Sequence, residues 1–464
     1  MLLQKKQFVY GCLLCLAIGT LQAKTFDSLL SKHKQTKTVF SILAVEADSG
    51  RIVYQHRPEA SMIPASNMKL VTTAAAVHYL GADYTFETKI GLLDGDLVVI
   101  GGGDPLLADP EHDDVPCQAV DAMMNTIVGV LQKSGLTSIN NVIVDTSFFD
   151  DIRVHPSWPL DDLNKSYACE VTGLNFYTNF VHFDIRRSGQ SALIEMTPPN
   201  DYITFINQLQ FISSGDSGVG AYRSQTPNKL YIRGKLNQAA GFDVAIENPA
   251  GLFASVLKDR LVSSAIPVKG QVLQKSVKHN DQIQYLIIFK TPIQYVLSRA
   301  NKDSLNLAAE CFVKTISAEN TPGQVNGRWS HAHELISDYL TSLGISADQY
   351  TLDDGSGLSR ENRLSAACLT AVLKDMYTGK NSDVYTSSLA VGGEDGTIAK
   401  YFHDAPYQGN IIGKTGYISG VRSFSGVCKS PRGDIIFSIL TESGNGNTRS
   451  CINDIARAIF DGTL

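Results

Sequence analysis

The 464-residue sequence has no basic block, no acidic tail and no stretch in which aromatic and basic residues interleave; its net charge of −6 is spread along the chain. Those absences exclude nucleic acid as a partner. Among the eight cysteines no pair stands at C-x-x-C spacing, which argues against a zinc site. Gly101-Gly102-Gly103-Asp104-Pro105 is glycine-rich, but no Lys-Ser/Thr follows it, so a phosphate-cradling loop is excluded. Repeats and low-complexity tracts are missing too. Beyond the first residues no apolar run is long enough to span a bilayer, leaving at most a peripheral membrane association. Nothing calls for a metal or a cofactor.

What is present begins with 1-MLLQKKQFVYGCLLCLAIGTLQAKTF-26. Lys5 and Lys6 precede an apolar run from Phe8 to Leu21, and Ala23 closes it, the pattern of a secretory signal peptide over residues 1–23. The mature chain is then expected to start near Lys24 in the periplasm. Cys12 and Cys15 leave with the signal. Cys117, Cys169, Cys311, Cys368, Cys428 and Cys451 remain in a compartment that permits disulfides, with the pairing left open.

A chain of this length exceeds one ordinary core. Residues 38-TVFSILAVEADSGRIVYQHRPE-59 alternate apolar and polar around Asp48-Ser49-Gly50, which predicts a hairpin. A helix is predicted from Ser66 to Leu80, stopped by Gly81. Residues 86–285 change to short β-like runs punctuated by Gly, Asn, Asp and Ser, an inserted, mainly β region of one or two subdomains. Helical periodicity returns after residue 293, and the chain ends strand, strand, turn at Pro431-Arg432-Gly433, strand, helix. The simplest account is an α/β domain built from both ends of the chain, 24–85 with 286–464, interrupted by that insertion.

Three short motifs carry chemistry. Ser66 and Lys69 lie three apart at a helix start, on one face and one turn from each other. A serine hydroxyl needs a base, and a lysine serves if burial or neighbouring cations lower its pKa. The helix N-terminus adds a backbone N–H for a developing oxyanion. Ser304-Leu305-Asn306 opens another helix, and Lys414-Thr415-Gly416 sits in a strand-like run. Ser304 can pass a proton to a leaving group and Asn306 can hold an amide. Lys414, expected to stay charged, and Thr415 can grip a carboxylate, while Gly416 lets substrate lie close to the backbone.

The order S-x-x-K, S-x-N, K-T-G resembles that of penicillin-binding proteins and serine β-lactamases. The long insertion, the run Asp353-Asp354-Gly355-Ser356-Gly357-Leu358-Ser359-Arg360, the glycine run at 101–103 and 157-SWPLDD-162 narrow the resemblance to class C low-mass penicillin-binding proteins of the penicillin-binding protein 4 type. That resemblance implies a β-lactamase/transpeptidase-like fold, an antiparallel sheet flanked by helices. It implies D-alanyl-D-alanine carboxypeptidase and endopeptidase activity on peptidoglycan stem peptides, with β-lactams as covalent inhibitors. Ser66 would form the acyl-enzyme with Lys69 as its base, and the N–H groups of Ser66 and Tyr417 would hold the oxyanion. Asp162 with Tyr167, together with Arg360, would correspond to the family's pocket for the stem side chain. Ser419 stands where some members carry a longer amide side chain.

Other classes fit less well. A β-lactamase would need a glutamate motif to activate the deacylating water, and none is evident. A penicillin sensor would need a membrane span to signal. The chymotrypsin-like echo of Thr72 to His78 and Gly215 to Gly218 fails because Val219 follows Gly218 and no cysteine follows His78.

Overall fold

The computed structural model describes residues 26–111, 119–189, 191–277, 282–321 and 326–464. The expected signal segment, with Cys12 and Cys15, and Cys117 lie outside the described residues. The described chain forms two compact units. One is built from the chain up to His78, Leu297–Ser304 and Ile336–Leu464; the other from Tyr79–Val296 and Leu305–Leu335.

The first unit is an α/β layer structure on a six-stranded antiparallel sheet. Its strand order is Ala390–Val391, Ile411–Ile418, Val421–Ser430, Gly433–Glu442, Val39–Glu46 and Ile52–His56. Val39–Glu46 and Ile52–His56 are the hairpin that the alternation and the Asp-Ser-Gly turn predict. The alternation does not extend to Gly433–Glu442, where Ile435 through Thr441 are all buried. A strand buried at successive residues is covered on both faces. Ile435, Phe437 and Ile439 join the cluster containing Ile452, Ile455 and Ile459 of the C-terminal helix Thr448–Asp461. The helix Ala366–Thr378 packs against the same strand and its neighbour Val39–Glu46.

The second unit holds a mixed five-stranded sheet in the order Val272–Gln274, Val142–Asp145, Asp96–Ile100, Thr85–Leu93 and Gln284–Pro292. Two three-stranded sheets accompany it, Thr204–Phe211, Lys229–Leu236 and Gly218–Arg223, and Ala240–Ala245, Phe180–Ser188 and Ser191–Thr197. Two helices, Val120–Lys133 and Pro249–Ser263, stand among these strands. The second begins with Pro249 after Asn248, whose side chain accepts a hydrogen bond from the Gly251 N–H, an N-cap that the turn-rich composition conceals. The helix Asn306–Glu319 is buried along most of its length. Lys314 is fixed there by Asp150 at 2.7 Å and the Ile152 carbonyl at 2.6 Å, while Glu310 accepts the Trp329 indole N–H at 2.7 Å. Buried charges so partnered hold a helix in one position.

Among the described residues Cys169, Cys311, Cys368, Cys428 and Cys451 are buried free thiols, and no helix is long and apolar enough to cross a membrane. Ser217 of the chymotrypsin-like echo accepts the backbone N–H groups of Asn237 and Gln238, a turn-closing role.

Candidate active site

The helix expected from Ser66 starts two residues later. Ala65–Asn67 form a 3₁₀ turn, and the α-helix runs Met68–Leu80. Ala65 holds φ +48°, a left-handed conformation costly for a side chain bearing Cβ, immediately before the serine. Lys69 is fully buried one turn on, with Nζ 3.3 Å from Ser66 Oγ and donating to the Ser356 carbonyl at 2.8 Å.

That carbonyl belongs to the Asp353–Arg360 run, which acts as the floor of the turn. Asp354, wholly buried, accepts the N–H groups of Gly357 and Ser359 and the Asn362 amide, each at 2.7 Å. The Gly355 carbonyl accepts Thr72 Oγ1 at 2.7 Å. Gly357 has φ +80°, and a Cβ there would stand 1.9 Å from the Ala65 carbonyl oxygen, so only glycine brings the loop under the serine turn.

The strand Ile411–Ile418 passes on the other side. Only Ile412 and Gly413 pair with Ala390–Val391, so among the described residues Lys414, Thr415 and Gly416 lie on an open edge. A Cβ on Gly416 would meet Pro64 O at 2.8 Å and Ser66 N at 3.0 Å, which packs the strand directly against the serine turn. Asn67 clamps the two, donating to the Lys414 carbonyl at 2.8 Å and accepting from Ser425 Oγ at 2.6 Å. Lys414 Nζ donates to Ser304 Oγ at 2.9 Å and to the Thr415 carbonyl at 3.0 Å. Ser304 also takes a left-handed φ, +63°. Thr415 Oγ1 bonds Thr397 Oγ1 at 2.9 Å. Tyr417 is 63% exposed, with the Arg422 guanidinium 3.5 Å from its ring centre. Arg360 donates to the Ser419 carbonyl at 2.7 Å.

In the second unit three of the expected residues form a group of their own. Tyr167 donates its hydroxyl to Asp162 at 2.9 Å, and Asn306 donates its amide to the Tyr167 carbonyl at 2.7 Å. Loss of water and then that bond to Asp162 push the Tyr167 phenol up to about 12.

The burial of Lys414 bears on the expectation that its side chain stays charged. Lys414 is completely buried. Burial first, and then the charges of Lys69 and Arg449, push its ammonium well below the ordinary lysine value, with Asp303 opposing. A carboxylate placed beside it would restore the proton. The anion capture by Lys414 that the resemblance implies is expected to weaken as pH rises through this lowered value. The second-order rate constant for penicillin acylation is expected to fall along an alkaline limb set well below the lysine range. Lys414→Arg should move that limb upward while slowing acylation about tenfold to a hundredfold, about 1.4–2.7 kcal/mol. An unmoved limb would remove Lys414 from anion capture.

Sequence reasoning missed Asp354, Asn67 and the Ser356 carbonyl. The Asp353–Arg360 run marks a family resemblance, but nothing in it shows that its carbonyls reach a helix almost three hundred positions earlier.

A serine hydroxyl thus faces a buried lysine, beside an edge strand whose own lysine is steered to a second serine. Residues 22–459 match the D-Ala-D-Ala carboxypeptidase 3 (S13) family, and the chain belongs to that family. It is 26% identical over 455 residues to the D-alanyl-D-alanine carboxypeptidase of Actinomadura sp. (strain R39), covering 92% of this chain and 82% of that one. It is 23% identical over 414 residues to the D-alanyl-D-alanine carboxypeptidase DacB of Haemophilus influenzae, covering 84% and 82%. Its fold is similar to the crystal structure of penicillin binding protein 4 from Haemophilus influenzae, with a TM-score of 0.80 at 21% identity over 94% of this chain and 99% of that one. A predatory peptidoglycan endopeptidase from Bdellovibrio bacteriovorus is also similar, with a TM-score of 0.53 at 15% identity over 92% and 94%.

Proposed function

We propose that this chain is a serine D-alanyl-D-alanine carboxypeptidase, with endopeptidase capacity, acting on peptidoglycan stem peptides and acylated by β-lactams at Ser66. The observation that carries the reading is Lys69 Nζ, wholly buried, 3.3 Å from Ser66 Oγ in a member of this family. Ser66 Oγ attacks the carbonyl of the penultimate D-alanine, and its proton passes to the neutral amine of Lys69. To act as base, Lys69 must meet the serine as the free amine. The N–H groups of Ser66 and Tyr417 hold the oxyanion. The C–N bond then breaks, Ser304 relays a proton to the departing amine, and water later hydrolyses the ester. Lys414 and Thr415 bind the terminal carboxylate, and Gly416 keeps the strand edge open to the peptide. Asn306 holds the substrate amide, Asp162 with Tyr167 takes the charged end of the stem side chain, and Arg360 serves that same recognition. Work on the wall requires export, and residues 1–23 supply the signal for the periplasm.

One preparation tests these points. Exported protein incubated with a soluble stem pentapeptide should release free D-alanine, read by mass spectrometry, and its intact mass should correspond to a chain starting near Lys24. Unchanged pentapeptide would defeat the enzymatic reading, and a mass that includes Met1 would show that the segment is retained.

A further inference from the structure

The three-stranded sheet Thr204–Phe211, Lys229–Leu236 and Gly218–Arg223 has a second face that the proposed reaction does not use. Side chains alternate along a strand. Leu230, Ile232 and Leu236 point into the core, so Lys229, Tyr231, Arg233 and Lys235 stand on the opposite side. Tyr231 is directly opposite Tyr222, itself 52% exposed, and Gln208 is opposite Arg233. The Arg233 guanidinium lies 4.6 Å from the Tyr231 ring centre and 5.8 Å from that of Tyr222. Gln208 Oε1 accepts its Nε–H at 2.6 Å and locks the plane. A cleft of about 410 Å³ opens between Arg223 and Lys229 at the end of this face.

Two features of this surface select a ligand. Two tyrosines and the guanidinium laid over their rings, its plane fixed by Gln208, form a surface of the kind against which the apolar face of a sugar ring stacks. The three strands also carry no carboxylate at all, although the whole chain has a net charge of −6. Lys229, Arg233 and Lys235 thus put three positive charges along one strand of a sheet that has no carboxylate of its own. The structure assigns this face to a carbohydrate polymer bearing carboxylates. If the proposed activity is right, that polymer is peptidoglycan, its sugars on that surface and its stem carboxylates against the lysines. The face holds the enzyme to the insoluble wall without taking part in bond cleavage.

The test uses the full chain with its active-site serine already blocked by penicillin, so only non-catalytic binding is read. The parent should sediment with purified insoluble peptidoglycan. Tyr222→Ser/Tyr231→Ser/Arg233→Gln should bind about tenfold more weakly or worse, equivalent to about 1.4 kcal/mol. Unblocked, it should keep the parent's penicillin acylation rate and its action on soluble pentapeptide. Amidating the wall carboxylates should weaken the parent's binding. A triple variant that acylates normally and sediments like the parent overturns the assignment, as does undiminished binding to amidated wall. Should the triple variant fail to acylate, Lys229→Gln/Lys235→Gln carries the same test, with weaker sedimentation expected and unchanged sedimentation overturning. A parent that sediments yet releases no D-alanine from soluble pentapeptide would defeat the proposed activity and leave the binding face standing.

Discussion

Lys69→Arg is expected to abolish acylation, lowering the second-order rate constant for a penicillin by about a thousandfold or more, about 4 kcal/mol in the transition state. The reason is chemical before it is steric. A guanidinium keeps its proton at any accessible pH and cannot accept that of Ser66. The site is also closed around the native side chain, because Lys69 is fully buried and its Nζ is already committed to the Ser356 carbonyl at 2.8 Å. A larger planar head must displace that loop. The rates would be measured with both a penicillin and a D-Ala-D-Ala peptide. If Lys69→Arg acylated as fast as the parent, another residue would be the base.

Asp354→Ala is expected to damage stability and reactivity together. Its carboxylate holds two backbone N–H groups and the Asn362 amide inside the protein, away from water. Removing it strands those donors, at about 3 kcal/mol for a buried network of this kind. In a unit of this size that lowers the melting temperature by about 6–12 °C. The loop carrying the Gly355 and Ser356 carbonyls loses its anchor, so Lys69 loses its fixed position and acylation slows even where the protein remains folded. Calorimetry and penicillin kinetics on the same sample read both effects. A variant that melts and acylates like the parent would show that the loop is held by other contacts.

The contrast between these two residues shows what the sequence exposes and what it hides. Lys69 was legible because helical spacing is local: three residues make one turn, whatever surrounds them. The same holds for the hairpin around Asp48-Ser49-Gly50 and the turn before Gly433, where turn chemistry sets the geometry. The fold class followed from the ordered motifs at both ends of the chain, and the comparisons bear it out. Asp354 was visible only as part of a characteristic run, because its work depends on a tertiary approach. The burial of Lys414, which lowers the pKa of its ammonium, likewise comes from packing. The left-handed conformations of Ala65 and Ser304 have no local signature at all, since neither residue type favours them. The helix after Asn248-Pro249 did have a local signal, overshadowed by the turn residues around it.

The central claim is that Ser66 is the residue acylated. Labelling the protein with a fluorescent penicillin, digesting it and mapping the modified peptide by mass spectrometry tests that claim most directly. The expected result is a single adduct on the serine of 62-MIPASNMKL-70, slow to hydrolyse and absent from Ser66→Ala. An adduct on Ser304, or on any other residue, would contradict the account.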